Sequence, residues 1–100
     1  MPHLVIHPGE HLAEELRELN MSAAALARQL QVPTNHIAQI LNGNRDISAD
    51  TALRLAHFFG TSPEFWINLQ SIYDLRIAQQ AYGKTIQELP TLKQMTAAHA

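Results

Sequence analysis

The sequence has no cysteine, no long apolar run and no excess of positive charge. Without cysteine, a disulfide framework, a thiolate metal site and a cysteine nucleophile are all excluded. The lack of disulfides suits a reducing compartment, so we expect a cytoplasmic protein. The apolar run near the start has only three residues (LVI). Later runs stay far below the roughly 18 residues of a membrane span, so we expect neither a signal peptide nor a membrane anchor.

The scarcity of positive charge at first argues against a protein that binds nucleic acid. The chain of 100 residues has a net charge of −2, whereas DNA-binding domains usually carry a basic patch. The acidic residues are concentrated at the start, because residues 1–19 have four glutamates and one arginine, a net charge of −3. Residues 20–60 have three arginines and two aspartates, a net charge of +1. A DNA site is therefore permitted in the middle of the chain but not required.

Capping residues divide the sequence into five helical segments. Ser22, Ser48 and Ser62 suit helix N-caps, and the glycines at positions 43 and 60 are typical of helix C-termini. Pro33 suits a first helical position. Since no segment alternates polar and apolar residues with a period of two, we expect an all-α fold without a sheet. The predicted helices cover residues 8–20, 22–30, 33–43, 48–60 and 62 to about 82–83.

The fifth segment has more apolar residues than one packing face needs. They cover an arc of roughly 140° around the helix, wider than the usual core-facing stripe. One interpretation is a helix that is simply well buried; the other divides it between the core and a symmetric dimer contact. Residues 84–100 are weakly patterned and contain Pro90, so we expect an extension that becomes ordered only against a partner. The residues predicted to form the dimer contact are Phe65, Trp66, Leu69, Ile72 and Tyr73.

Residues 21–43 (MSAAALARQLQVPTNHIAQILNG) carry the most informative motif. They place two short helices around a tight turn at Gln31 and Val32, and Ala27 provides the small side chain needed where the helices cross. Such a unit holds its second helix clear of the surface, where it can enter a major groove about 12 Å wide. The exposed positions there are polar groups without lysine or glutamate, which favours base contacts over an ordinary solvated face. The predicted base-edge contacts are Thr34, Asn35, His36 and Gln39, and the predicted phosphate contacts are Asn42, Asn44 and Arg45.

The same residues resemble the helix-turn-helix of phage repressors and their bacterial relatives of the xenobiotic-response-element type. The stretches HPGEHLAEEL, LNGNRDIS, TALRLAHFFGTSPEFW and INLQSIYDL are similar to HigA-type antitoxins of toxin–antitoxin operons. The resemblance covers about residues 7–83. It implies a five-helix fold, a homodimer on double-stranded operator DNA, repression of its own operon, and neutralisation of an mRNA-cleaving toxin. We expect residues 1–83 to form the DNA-binding domain, with a dimerisation helix over about 62–82, and residues 84–100 to form an extension.

Two departures from that family's pattern affect the site. Many relatives have glutamine after the N-cap serine, where it touches DNA, but this chain has Ala23, and Ser22 is expected to serve partly in its place. Many relatives also have glycine in the turn, where this chain has Gln31. If the backbone of that residue has the left-handed conformation, a non-glycine residue there destabilises the fold by roughly 1 kcal/mol.

A metal or catalytic site is the first alternative. His3, His7 and His11 are spaced by four residues, a spacing that can bind zinc on a helix, but Pro8 and Gly9 interrupt any helix between the last two. No zinc-protease motif or serine elbow is present, so we expect no metal, no cofactor and no enzyme activity. His57 lies in an apolar segment and is predicted to be a satisfied core histidine.

A protein-interaction role is the second alternative. The stripe of Glu10, Glu14 and Glu18 is usually a solvated face, but it could also meet a basic RNA-cleaving toxin. A transcriptional regulator without any toxin partner is the third possibility, because it would share every residue of the DNA site.

Overall fold

The computed structural model describes residues 5–98, and the regular structure in that range is entirely helical. The first five helices confirm the predicted all-α fold, and a sixth forms within the predicted extension. No helix in the described range is both long and apolar enough to cross a membrane. The helices are α1 (Pro8–Leu19), α2 (Ala23–Leu30), α3 (Thr34–Leu41), α4 (Ala49–Phe59), α5 (Pro63–Gln87) and α6 (Leu92–Ala98).

Side-chain caps begin most of these helices. The hydroxyls of Ser22, Ser48 and Ser62 each accept a hydrogen bond from the backbone N–H three residues later, at 3.1 to 3.3 Å. This confirms the three predicted N-caps. α1 is capped by His7, whose Nδ1 accepts from the Gly9 N–H at 2.9 Å, a role that the sequence analysis did not assign. Pro33 is predicted to be the first helical residue of α3 but is its N-cap, so the helix begins one position later, at Thr34.

The core is built from the inward faces of α1 to α4, the loop before α4 and the start of α5. α1 crosses α3 so closely that a Cβ atom added to Gly9 would lie 1.9 Å from the Ile40 carbonyl oxygen. The glycine is therefore required by the close approach of two backbones. The buried apolar residues are Leu12, Leu16, Leu26, Ala27, Leu30, Ile37, Ile40, Ile47, Ala52, Leu55, Ala56 and Trp66.

The α2–α3 pair has the predicted crossing and turn. Ala27 of α2 is 1% exposed, which is consistent with the small side chain expected at a close crossing. Gln31 has φ of 57°, in the left-handed region, and is the C-cap that ends α2. The Arg54 side chain from α4 donates through Nη1 to the Leu30 carbonyl oxygen at 2.7 Å. α4 thereby supplies a hydrogen bond to the otherwise unpaired C-terminal carbonyls of α2.

α5 is longer than predicted and has two different halves. It continues through Gly83 to Gln87, because a single glycine within a helix costs only about 1 kcal/mol relative to alanine and does not have to end it. The first half packs on the core. Residues 74–87 are all exposed except Gly83, which is half-buried. The protomer is consequently elongated, with principal extents of 62 × 27 × 21 Å.

The predicted extension is helical within the single chain. Residues 84–87 complete α5, and α6 begins two residues after Pro90. The Thr91 side chain accepts from the Gln94 N–H at 3.2 Å and the Gln94 side chain accepts from the Thr91 N–H at 2.9 Å, which is a reciprocal cap of α6. These local hydrogen bonds account for order that weak apolar patterning did not predict.

Candidate nucleic-acid interface

α3 separates an apolar inner face from a polar outer face. Ile37 and Ile40 are fully buried and fix the rotation of the helix against the core. Thr34 and Asn35 are exposed in the first turn, and Gln39 is half-buried in the last turn. The structure thus brings these three predicted base-edge residues onto the outward surface of a helix-turn-helix unit.

Gln39 and Arg45 form a hydrogen-bonded pair at the end of this surface. Arg45 Nη1 donates to Gln39 Oε1 at 2.9 Å. Arg45 is exposed and lies in the loop after α3, six residues beyond its partner. A residue predicted to contact bases and a residue predicted to contact phosphate are therefore joined by a hydrogen bond.

His36 is turned partly toward α4. Its Nε2 lies 3.2 Å from the Thr51 hydroxyl, which also accepts a hydrogen bond from the Ser48 hydroxyl at 3.2 Å. Burial, followed by the positive charges of Arg45 and Arg54, lowers the pKa of His36 below its ordinary value of 6.5, while Asp50 opposes the shift. The imidazole is consequently held neutral near pH 7, with one ring nitrogen bound to α4.

The loop after α3 carries the predicted phosphate contacts. Asn42, Asn44 and Arg45 are exposed along it. Gln70 of α5 holds the end of this loop, since its Oε1 accepts from the Ile47 N–H at 2.7 Å. The other half of the same amide donates to an Asp74 carboxylate oxygen at 2.9 Å. The long helix therefore positions the loop.

Gln70 is a structural residue of the site that the sequence does not predict. It is buried beside Trp66, one helical turn away on the same face. The only signal for Gln70 in the sequence is its position four residues after Trp66, where a polar residue interrupts an otherwise apolar stripe of the helix. That signal shows a buried polar group but cannot show which backbone group it binds.

Ser22 is exposed at the start of α2, where its oxygen is occupied by the Ala25 N–H. A hydroxyl that accepts this bond still has its own hydrogen to donate. Ala23, the residue after this N-cap, is half-buried and packs on the core. The predicted DNA contact of Ser22 thus remains compatible with its capping role.

The predicted dimer residues divide into three groups. Phe65 and Ile72 are exposed, and Leu69 and Tyr73 are half-buried. Trp66 is only 1% exposed, and its Nε1 donates to the Thr61 hydroxyl at 3.0 Å. Its assignment to the dimer contact therefore has to be corrected, because its ring belongs to the core of the protomer. A helical arc shows which residues share a face but cannot show where along the helix the core ends.

The glutamates of the predicted toxin contact and His57 lie on the surfaces of two different helices. Glu10, Glu14 and Glu18 are exposed on α1, and Glu14 forms an ion pair with Arg17. His57 is exposed on α4, so the prediction of a core histidine is wrong.

The histidine spacing does not produce a metal site in the part of the chain that the structure describes. His7 caps α1, whereas the His11 ring packs edge-on against Phe65 and Trp66. His3 lies outside the described residues. Within those residues, no three histidine, aspartate or glutamate side chains are grouped to hold a metal ion.

Comparison with known proteins identifies the family. Residues 12–66 match the sequence profile of the helix-turn-helix family. The chain is similar in structure to an addiction-module antidote protein of the HigA family from Coxiella burnetii, with a TM-score of 0.87 and 58% identity over 89% of this chain and 98% of that one. It is similarly related to the Pseudomonas aeruginosa antitoxin HigA, solved with the higBA promoter, with a TM-score of 0.86 and 48% identity over 89% of this chain and 99% of that one.

A relative identified by sequence extends the comparison. Virulence-associated protein I of Dichelobacter nodosus is 49% identical over 76 residues, which are 75% of this chain and 70% of that protein. The motifs of residues 7–83, the helix-turn-helix geometry and these similarities agree. The chain therefore belongs to the HigA family of helix-turn-helix antitoxins.

Proposed function

We propose that this protein binds operator DNA in front of its own operon, represses that operon as a dimer, and neutralises a cognate mRNA-cleaving toxin. The observation that carries the DNA-binding part is the polar outer face of α3, with Thr34 and Asn35 exposed and Gln39 beside Arg45. The similar Pseudomonas aeruginosa HigA was solved with its promoter, which supports placing this face in the major groove.

Base contacts have to provide much of the selectivity. With one net positive charge in residues 20–60, electrostatic attraction to DNA of any sequence is weak. Amide and hydroxyl groups on α3 are suited to base edges, whereas the exposed loop residues after α3 are suited to phosphates.

The exposed half of α5 supports the dimer. Large apolar side chains remain exposed there although each costs free energy in water, and Leu75 reaches 69% exposure. A symmetric contact between two copies would cover them and would separate two recognition helices by about 34 Å, one turn of B-DNA. The exposed large apolar residues of α5 are Phe65, Ile72, Leu75, Ile77, Tyr82 and Ile86.

The acidic surface of α1 supports a contact with a basic toxin. Glu10, Glu14 and Glu18 are all exposed, and complementary charge accelerates the encounter of two proteins. The test replaces the three residues by glutamine and measures association with the product of the adjacent gene. Unchanged association would remove this surface from the toxin contact, and no association of the wild-type chain would favour a regulator without a toxin.

The DNA-binding proposal is tested by fluorescence anisotropy. A duplex from upstream of the protein's own gene is compared with a shuffled duplex of the same composition, each at two salt concentrations. We expect tight binding to the first duplex only, with a salt dependence that counts phosphate contacts. Equal, weak binding to both duplexes would contradict sequence-specific DNA binding.

The dimer is tested separately by sedimentation. Leu75→Glu is expected to shift the protein toward the monomer, because it places a charge within the apolar contact. Glu64→Gln, at an exposed position near the start of α5, serves as the control. A dimer that survives Leu75→Glu unchanged would show that the distal half of α5 is not the contact.

A further inference from the structure

We propose that Arg45 positions Gln39 for base readout, so that Gln39 presents a hydrogen-bond donor, and not its carbonyl oxygen, to the major groove. The inference rests on the proposed operator binding and specifies the chemistry of one contact within it. It makes Arg45 a positioning residue in addition to a phosphate contact.

The orientation of the Gln39 amide follows from the chemistry of its partner. A guanidinium has five N–H donors and no acceptor, so only Oε1 of Gln39 can face Arg45 Nη1 at 2.9 Å. A planar amide that turns its oxygen toward Arg45 turns its NH₂ group away. The hydrogen bond therefore fixes which end of the Gln39 amide faces Arg45, whereas the amide of a glutamine without this partner could adopt either orientation.

The loop that carries Arg45 is itself braced on both sides. The Asn44 N–H donates to the Gln39 backbone carbonyl at 2.9 Å, and the Ile47 N–H donates to Gln70 Oε1 at 2.7 Å. Arg45 lies between these two anchored positions. Its approach to Gln39 is thus supported by the backbone as well as by the side-chain bond.

An oriented glutamine reads bases differently from a free one. A free glutamine contacts adenine through both the oxygen and the NH₂ group, matching the N6 amine and N7 of the base. With the oxygen held by Arg45, the remaining donor matches an acceptor, which is purine N7, guanine O6 or thymine O4. Exclusion of water by DNA lowers the local dielectric and strengthens the Gln39–Arg45 bond.

Arg45 can still hold a phosphate while it orients Gln39. One guanidinium donor binds Gln39, and others are available to a phosphate oxygen. The two roles are distinguishable, because phosphate contacts strengthen binding to every sequence whereas base contacts alter the choice between sequences.

The first experiment is a double-mutant cycle. The operator is located by footprinting in the DNA upstream of the protein's own gene. Gln39→Ala, Arg45→Ala and the double variant are then titrated with this operator and with a shuffled duplex. We expect each single variant to lower the preference for operator roughly five- to tenfold. The double variant should lower it no further, because both changes remove the same contact.

Salt dependence and a control variant separate the two roles of Arg45. Arg45→Ala should also flatten the salt slope by about one unit. Arg28→Ala removes the same charge from an exposed position on α2 and should leave the preference for operator unchanged. Equal weakening on both duplexes by Arg45→Ala, or a multiplicative loss in the double variant, would overturn the positioning role.

The second experiment changes single atoms of the operator. Substituting 7-deazapurines removes N7, substituting 2-aminopurine for guanine removes O6, and substituting 5-methyl-2-pyrimidinone for thymine removes O4, so each candidate acceptor is deleted in turn. Substituting purine for adenine removes the N6 amine. We expect one acceptor deletion to weaken wild-type binding about fivefold and to leave Gln39→Ala unaffected. If the N6 deletion has that pattern instead, Gln39 Oε1 contacts adenine and the inference is overturned. Equal binding of wild type to operator and shuffled DNA would overturn the proposed function, and this inference with it.

Discussion

The buried amide of Gln70 binds the backbone N–H of Ile47 at 2.7 Å, joining α5 to the loop after α3. The bond connects the helix with the exposed apolar half to the segment that carries the proposed phosphate contacts. A change in the orientation of α5 therefore reaches the DNA-binding surface through one side chain.

Gln70→Met should destabilise the protein by about 1–3 kcal/mol, because it leaves the Ile47 N–H without its acceptor at similar side-chain volume. Urea denaturation measures this loss. Operator binding should weaken as well, since the loop carrying Arg45 loses an anchor. Gln80→Met, at an exposed position on the same helix, is the matched control, and equal stability of the two variants would contradict the anchoring role.

Gly9→Ala should destabilise the protein more than a typical surface change, by roughly 1–3 kcal/mol or more. The added methyl would lie 1.9 Å from the Ile40 carbonyl oxygen, so α1 has to move away from α3. Gly60→Ala is the control, because its φ of 74° imposes backbone strain while the added Cβ meets no atom within 4 Å. A melting temperature lowered equally by both variants would show that the α1–α3 contact can relax.

Gln31→Gly should stabilise the fold by about 0.5–1 kcal/mol. Gln31 has φ of 57°, and relief of left-handed strain exceeds the entropy cost of the extra glycine. Gln29→Gly, within α2, should have the opposite effect of about 1 kcal/mol. Denaturant midpoints of the two variants with opposite signs are the expected result, and two destabilised variants would contradict it.

His36 should make the folded state less stable in mild acid. Its pKa lies below 6.5 in the folded protein, chiefly through burial, so the unfolded chain takes up a proton first as the pH falls through that value. The free energy of unfolding should therefore decrease as the pH falls through 6.5, and His36→Asn should reduce this decrease. The exposed His57→Asn variant tests whether removal of any histidine has the same effect, which would contradict a specific role of His36.

Local signals in the sequence were sufficient for much of the fold. The serine caps at positions 22, 48 and 62 act within three residues, so they could be predicted without tertiary structure. The small residue at Ala27 follows from the motif itself. The predicted end of α5 is too early because a single glycine such as Gly83 costs only about 1 kcal/mol within a helix and does not have to end it.

Long-range contacts explain what the sequence could not predict. The pairing of Gln70 with Ile47 spans 23 residues, and no periodicity encodes it. The attachment of His36 to Thr51 depends in the same way on how α3 and α4 meet. Trp66 was assigned to an interface because core and contact residues share one face of α5, and only the position of the core along the helix separates them.

Residues 74–87 form a stretch of helix in which every residue except Gly83 is exposed. Isolated helices of about this length are marginal in water, so their backbone amides should exchange rapidly with solvent in a lone chain and slowly once covered. If the proposed dimer covers this segment, its folding and dimer formation are coupled, and the folded fraction depends on protein concentration. In the proposed dimer, a protease that cuts this segment would leave a helix-turn-helix unit without its dimer contact, so resistance to proteolysis should rise with protein concentration.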